Sequence, residues 1–199
     1  MIQITDSIKN KTISFVFHMK RIAVLLFFLV LSIQTFAEDL TGFWDAKFGD
    51  TRQSVKAMML KRNWDISEEE LESIIYKKSG GTWAGLPVTD IKFDFANDRF
   101  NKAAVTLSTF DNSAFMDVIK VLKEKYNCKI YDTDKHDLEG HDELTITLAT
   151  GNGDMIKINV INVSGNFNLY IFDFIDTEIT LEYLKEKESS KRKHIEDDL

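Results

Sequence analysis

The chain reads as an α+β domain of two layers, an antiparallel β-meander sheet with helices packed on one face. Three observations predict it. Apolar residues alternate with polar ones in short runs separated by turns rich in Asn and Gly. Other segments carry apolar residues at helical spacing behind capping residues. The order of these runs is helix, about three strands, helix, about four strands and a tail helix, a tandem helix-plus-strands pseudo-repeat.

The first helix is announced by FGDTRQSVKAMMLKRNW, where Asp50 can cap the first turn and Gln53 can complete a capping box. Val55, Met58 and Met59 then fall on one face. Ser67 and Glu70 have the spacing of another short helical turn, after which SIIYKK reads as a strand. Ile91, Phe93 and Phe95 alternate with Lys92 and Asp94, and Ala103, Val105 and Leu107 alternate on the way back. Asn97 and Asp98 supply the turn of this hairpin, because both tolerate a left-handed backbone.

A second helix is predicted over residues 111–127. Asp111, Asn112 or Ser113 can cap it, with Phe115, Val118, Ile119, Leu122 and Tyr126 in one stripe and Asp117, Lys120, Lys123, Glu124 and Lys125 outside it. Two more alternating strands follow, Leu144-Ile146-Leu148 and Ile156-Ile158-Val160, joined by a GNGD turn. A further turn, SGN, leads into FNLYIFDF, which is apolar on both faces and therefore central. A final helix starts near Asp176 or Thr177, and from Lys185 onward the chain is nearly all charge and should be solvated or frayed.

Ahead of this domain stands MKRIAVLLFFLVLSIQTFAED. Lys20 and Arg21 precede an apolar run at residues 22–31, and Ala37 is followed by Glu38 and Asp39, the layout of a secretory signal peptide. A spanning helix needs about 20 apolar residues, roughly twice this run. The expected organisation begins with a non-native upstream extension at residues 1–18, with translation starting at Met19; the alternative is a long n-region whose apolar patch, Ile13 to Phe17, extends membrane contact and slows cleavage. A signal peptide at 19–37 cleaved near Ala37, one domain at 38–184 and a charged tail at 185–199 complete it. The protein would be periplasmic or secreted, with no stable membrane anchor after cleavage.

Removing residues 1–37 takes Lys9, Lys11, Lys20, Arg21 and Asp6 from a total of 25 basic and 32 acidic residues. It leaves 162 residues with 21 basic and 31 acidic, a net charge near −10. That length suits one domain with a full core, and the acidic balance disfavours nucleic acid and anionic lipid as partners. Cys128 is the only cysteine, so no internal disulfide can form, and burial is its expected state.

The text from Gly49-Asp50-Thr51 to Val55, followed by GLPVTDIKFDFANDRFNKAAVTL, resembles small exported bacterial α+β domains. These are similar to the β-lactamase-inhibitor-protein-like fold and to the small lipoproteins of outer-membrane assembly. The resemblance covers residues 43–108 directly and 111–174 by topology, and the lipidated cysteine of the assembly lipoproteins has no counterpart here. It implies an exported, non-catalytic interaction module at the cell envelope that grips an unidentified envelope protein through its sheet face.

The richest polar cluster is YDTDKHDLEGHDEL. Asp132, Asp134, His136, His141 and Glu143 are candidate metal ligands, and they carry the rival reading of a divalent-metal-dependent enzyme or metal-binding protein. Asp137 stands where a calcium loop needs glycine, and His136 and His141 are five residues apart on what reads as a solvated loop. No G-x-S-x-G elbow occurs, and GNGD and SGGT read as turns rather than phosphate cradles. No cofactor and no catalytic residue are implied. Phe43, Trp44 and Trp83 are candidates for an exposed platform that meets a partner or a sugar, with core packing as the alternative. The same two readings apply to Tyr170, Phe172 and Phe174.

Overall fold

The computed structural model describes residues 38–109, 112–138, 141–164 and 167–197, and the chain from Glu38 onward forms one compact unit. The expected upstream extension and signal peptide lie outside the described residues. Among the described residues no helix is long and apolar enough to cross a membrane.

A two-stranded hairpin, β1 (Gly42–Phe43) and β2 (Ala46–Lys47), precedes helix α1 (Arg52–Lys61). Strands β3 (Asp65–Glu69), β4 (Ser73–Lys77), β5 (Thr82–Trp83), β6 (Leu86–Ala96) and β7 (Arg99–Thr109) follow. Helix α2 (Asn112–Lys125) opens the second half, followed by β8 (Lys129–Leu138), β9 (His141–Ala149), β10 (Met155–Ser164) and β11 (Phe167–Ile175). Helix α3 (Thr177–Asp197) ends it. The large sheet is wholly antiparallel with strand order β3-β4-β6-β7-β11-β10-β9-β8, and β5 pairs with β6 at its side. Each half is thus a helix followed by a meander, and the last strands of the two meanders, β7 and β11, meet at the centre.

Period-two patterning explains the layers. Tyr170, Phe172 and Phe174 of β11 stand opposite Leu107, Val105 and Ala103 of β7, and opposite Val160, Ile158 and Ile156 of β10. Nearly all of these are buried on one face. Helix α1 lays Val55 and Met59 on that face, and α2 adds Phe115, Val118, Ile119 and Leu122. The Phe115 ring stacks on Tyr170 at 4.2 Å. The third helix is held at the strand ends, where Asn101 donates to Thr180 (3.0 Å), Arg99 pairs with Glu182 (2.8 Å) and Tyr183 donates to Glu72 (2.5 Å).

Three local readings are corrected. The cap of α1 is Thr51, whose Oγ1 accepts from the Ser54 amide (3.3 Å), while Asp50 turns back to accept from the Lys47 amide (2.9 Å). The Ser67 to Glu70 spacing belongs to the fully exposed edge strand β3, not a helical turn. Its Glu69 is fixed by Lys56 at 2.5 Å and Arg52 at 3.4 Å, and ion pairs of this kind leave no apolar alternation to read. The acidic stretch after α2 is strand β8 paired with β9, not a loop. The tail is exposed from Lys185 through Lys191, as expected, and stays helical to Asp197 rather than frayed. Asp176 caps it as expected, accepting from the Ile179 amide at 2.8 Å. Cys128 is a buried free thiol whose pKa burial pushes up.

Candidate functional site

The expected aromatic candidates come together. Phe43 ends β1, and the next two residues form a tight turn to β2, with Phe43 opposite Ala46 and Gly42 opposite Lys47. Only glycine fits at position 42, because a Cβ there would strike the carbonyl oxygen of Ala46. Trp44 occupies the turn at φ 54°, a conformation an indole side chain rarely adopts. It is held there by the Arg62 guanidinium, which lies 4.6 Å from its ring and donates to the Asp45 carboxylate at 2.6 Å.

A second tight turn faces the first. Trp83 of β5 stands opposite Leu86 of β6, and Ala84 and Gly85 between them have φ values of 51° and 79°. Two positive values in succession are the signature of the type I′ hairpin, whose right-handed twist suits the flanking strands. The two turns touch through their rings: Phe43 to Trp83 is 6.4 Å, and both rest on Phe174, at 5.2 and 5.8 Å. Trp83 also meets Phe172 at 5.1 Å, and Phe43 meets Trp44 at 4.8 Å. Phe43 is a core side chain at 4 % exposure, whereas Trp44 and Trp83 are half-buried. The candidate trio therefore divides, with Phe43 as floor and the two tryptophans as walls.

The opposite wall is α2. Ala114, Asp117, Val118, Val121, Leu122 and Lys125 line the same groove, and their spacing of three and four residues places them on one stripe of the helix. Between this stripe and the two turns lies a concave space of about 850 Å³. The Glu38 amide donates to the Lys125 carbonyl at 2.9 Å, and their side chains pair at 3.2 Å, which ties the start of the domain to the end of α2. Burial alone would lower the Lys125 pKa, but contacts with Tyr126 and Glu38 outweigh it and raise it.

The open face of the sheet is different in kind. Lys102 lies between Asp94 (3.5 Å) and Asp173 (3.3 Å), and Lys92 meets Asp94 at 3.0 Å. Thr145 donates to Asn159 at 2.9 Å on the same side. Asp173 is 7 % exposed; burial pushes its carboxyl above the ordinary range, and Lys102 partly offsets that. This face carries ion pairs and short polar chains, and β10 and β11 add the half-buried Ile161, Leu169 and Ile171 between them.

The metal candidates sit on β8 and β9. Asp132 and Asp134 stand opposite Thr147 and Thr145, His136 opposite Glu143, and Leu138 opposite His141. Among the described residues no three His, Cys, Asp or Glu side chains converge as a metal cluster. Sequence reasoning missed the groove stripe of α2, because Asp117 and Lys125 read as a solvated face. The signal it left is Val121, an apolar residue outside the core stripe and 59 % exposed.

No family model matches the chain, and no curated protein matches it. Among solved structures it is similar to the solution structure of cyanobacterial PsbP (CyanoP) from Synechocystis sp. PCC 6803, at 14% identity and TM-score 0.39. The match covers 63% of this chain and 81% of that one. A likeness this low carries no argument about function.

Proposed function

We propose that the chain is an exported, non-catalytic binding domain that takes a protein partner in the groove between its two N-terminal hairpin turns and α2. The observation that carries this reading is backbone strain spent on holding that groove open. Six described residues other than glycine have positive φ, and four of them are Asn or Asp. Those four are the side chains that tolerate the conformation. The other two are Trp44 and Ala84, and both line the groove. Strained backbone kept at one concave, aromatic place is a mark of function. Large aromatic side chains with one face packed and one face free are also the usual anchors of protein interfaces. On the sheet face, the other expected docking surface, Lys92, Lys102, Asp94 and Asp173 already pair with one another. Export is supported by the residue pattern at 19–37.

Site-specific photo-crosslinking in cells tests it. A benzoyl-phenylalanine placed at Val121 should capture a partner, one at Thr106 on the open sheet face should not, and Trp83→Ala should abolish the adduct at Val121. Capture from Thr106 alone would move the site to the sheet face. No adduct from either position would end the binding-module reading.

A further inference from the structure

We propose that the occupant of this groove is a cationic amphipathic segment of the partner, apolar side chains inward and Lys or Arg at the rim; this rests on the groove being the binding site. The walls set the apolar half of the requirement. Val118, Val121 and Leu122 on α2 face Trp83 and Phe174 across the space, and Val121 remains 59 % exposed. An exposed β-branched side chain beside aromatic rings gains free energy when another apolar group removes it from water. Ala114, small and on the same stripe, leaves one end of the wall low enough for a backbone to approach.

The rim sets the charge. Four carboxylates border the groove, those of Glu38, Asp39, Asp45 and Asp117, against the ammonium groups of Lys47 and Lys125. Two of the four are already neutralised, Glu38 by Lys125 at 3.2 Å and Asp45 by Arg62 at 2.6 Å. Asp39 and Asp117 have no ion-pair partner among the described residues, nor has Lys47, and with Arg62 counted the rim sets four acids against three bases. An occupant that closes the groove takes both out of water, and a desolvated, unpaired carboxylate is a heavy cost. A neutral apolar ligand would leave that cost standing, and an anionic one would add repulsion. A ligand that brings two cations removes it. Carboxylates beside low-dielectric aromatic walls also focus the field onto the approach path. The amphipathic helix laid in an apolar groove is an established mode of peptide recognition, and its anchors recur at the same three- and four-residue spacing that α2 offers.

The test uses the purified protein and two fluorescein-labelled helical peptides of identical apolar pattern, one of leucine and lysine, the other of leucine and glutamate. Fluorescence anisotropy should show the lysine peptide binding at least about tenfold tighter, a difference near 1.4 kcal/mol. Nonspecific attraction to an acidic protein is separated by Val121→Glu. This variant adds negative charge, so surface attraction predicts stronger binding, whereas occupancy of the groove predicts at least about a tenfold loss. Val121→Ser, which adds no charge, should also weaken binding and guards against a folding defect. Asp39→Asn with Asp117→Asn should weaken the lysine peptide severalfold and leave the glutamate peptide unchanged or improved. Binding of the lysine peptide that survives Val121→Glu overturns the proposal as mere charge attraction. Equal or tighter binding of the glutamate peptide, lost in Val121→Glu, overturns the charge preference and leaves the groove standing. If neither peptide binds, the proposal is overturned, and the crosslink at Val121 decides separately whether the groove is the binding site.

Discussion

Single residues decide how the groove is held and how the open face tolerates its charges. Ala84 stands at the first central position of a type I′ turn, where Asn, Asp or Gly is the favoured residue. A residue with an ordinary Cβ loses about 1–2 kcal/mol in the left-handed region relative to the right-handed one, and Asn loses less. Ala84→Asn should therefore stabilise the protein by about 0.5–1 kcal/mol, read as a higher urea midpoint with an unchanged slope. A fall in the midpoint would mean that the Ala84 backbone is not strained. Asp173 gives a prediction with a pH sign. Its folded pKa lies above the ordinary carboxylate value because burial disfavours the anion. Its ionised form therefore weakens the fold at neutral pH, and that penalty is relieved as pH falls through the raised pKa. Asp173→Asn should be more stable than the parent at pH 7, with the gap narrowing as pH falls toward 4. Lys102 keeps Asp94 as a partner in the variant. A loss of stability at pH 7 would show that the Lys102 pair outweighs burial.

At the scale of elements, the sheet was legible wherever burial is one-sided. The β6–β7 hairpin with its Asn97-Asp98 turn, at φ 51° and 62°, matches its alternation. The stripe of α2 and the centrality of β11 were equally plain, since only a strand between two others is apolar on both faces. The edge strands were not legible. β3 and β8 pair on one side only, and residues 65–69 and 129–135 are exposed and largely polar, so no periodicity marks them. Phe100 falls out of step with Ala103, Val105 and Leu107, yet it is fully buried. The register shift between Asp94 and Phe95 puts it opposite Phe95 and returns it to the core, which no alternation rule foresees. The groove was half legible: its aromatics stood out, but the two-residue strands that aim them are too short to show an alternation. Its far wall is docked by Phe115, Val118, Ile119 and Leu122, of which Phe115 is the largest. Phe115→Ala should cost about 3 kcal/mol, the low end for a buried Phe, and should loosen α2 from the sheet. Cys128 follows directly on that helix, with its amide bonded to the Lys123 carbonyl at 3.1 Å, so its thiol should label faster in the variant. An unchanged labelling rate would mean that α2 is docked by its other contacts.

At the scale of the whole molecule, the two helix-plus-meander halves look like repeats but do not bury their cores separately. Their seam is β7 against β11, where Leu107, Val105 and Ala103 meet Tyr170, Phe172 and Phe174. Aromatics of the first half rest across that seam on the second, Phe43 on Phe174 and Trp83 on Phe172. Neither meander can keep its apolar face covered without the other, and chains of this size with one shared core unfold cooperatively. All three tryptophans, Trp44, Trp64 and Trp83, lie in the first half, with Trp83 against Phe172 and Phe174 of the second, so their fluorescence weights the first half, whereas far-UV circular dichroism reports both. The two probes should give one coincident urea transition. Ile158 lies in the second half at 0 % exposure. Ile158→Ala should cost about 2–5 kcal/mol and move the tryptophan transition as far as the dichroism transition. Independent halves would leave the fluorescence midpoint where it was while dichroism split into two steps, and that result would make the central strand pair a contact between two domains rather than the middle of one sheet.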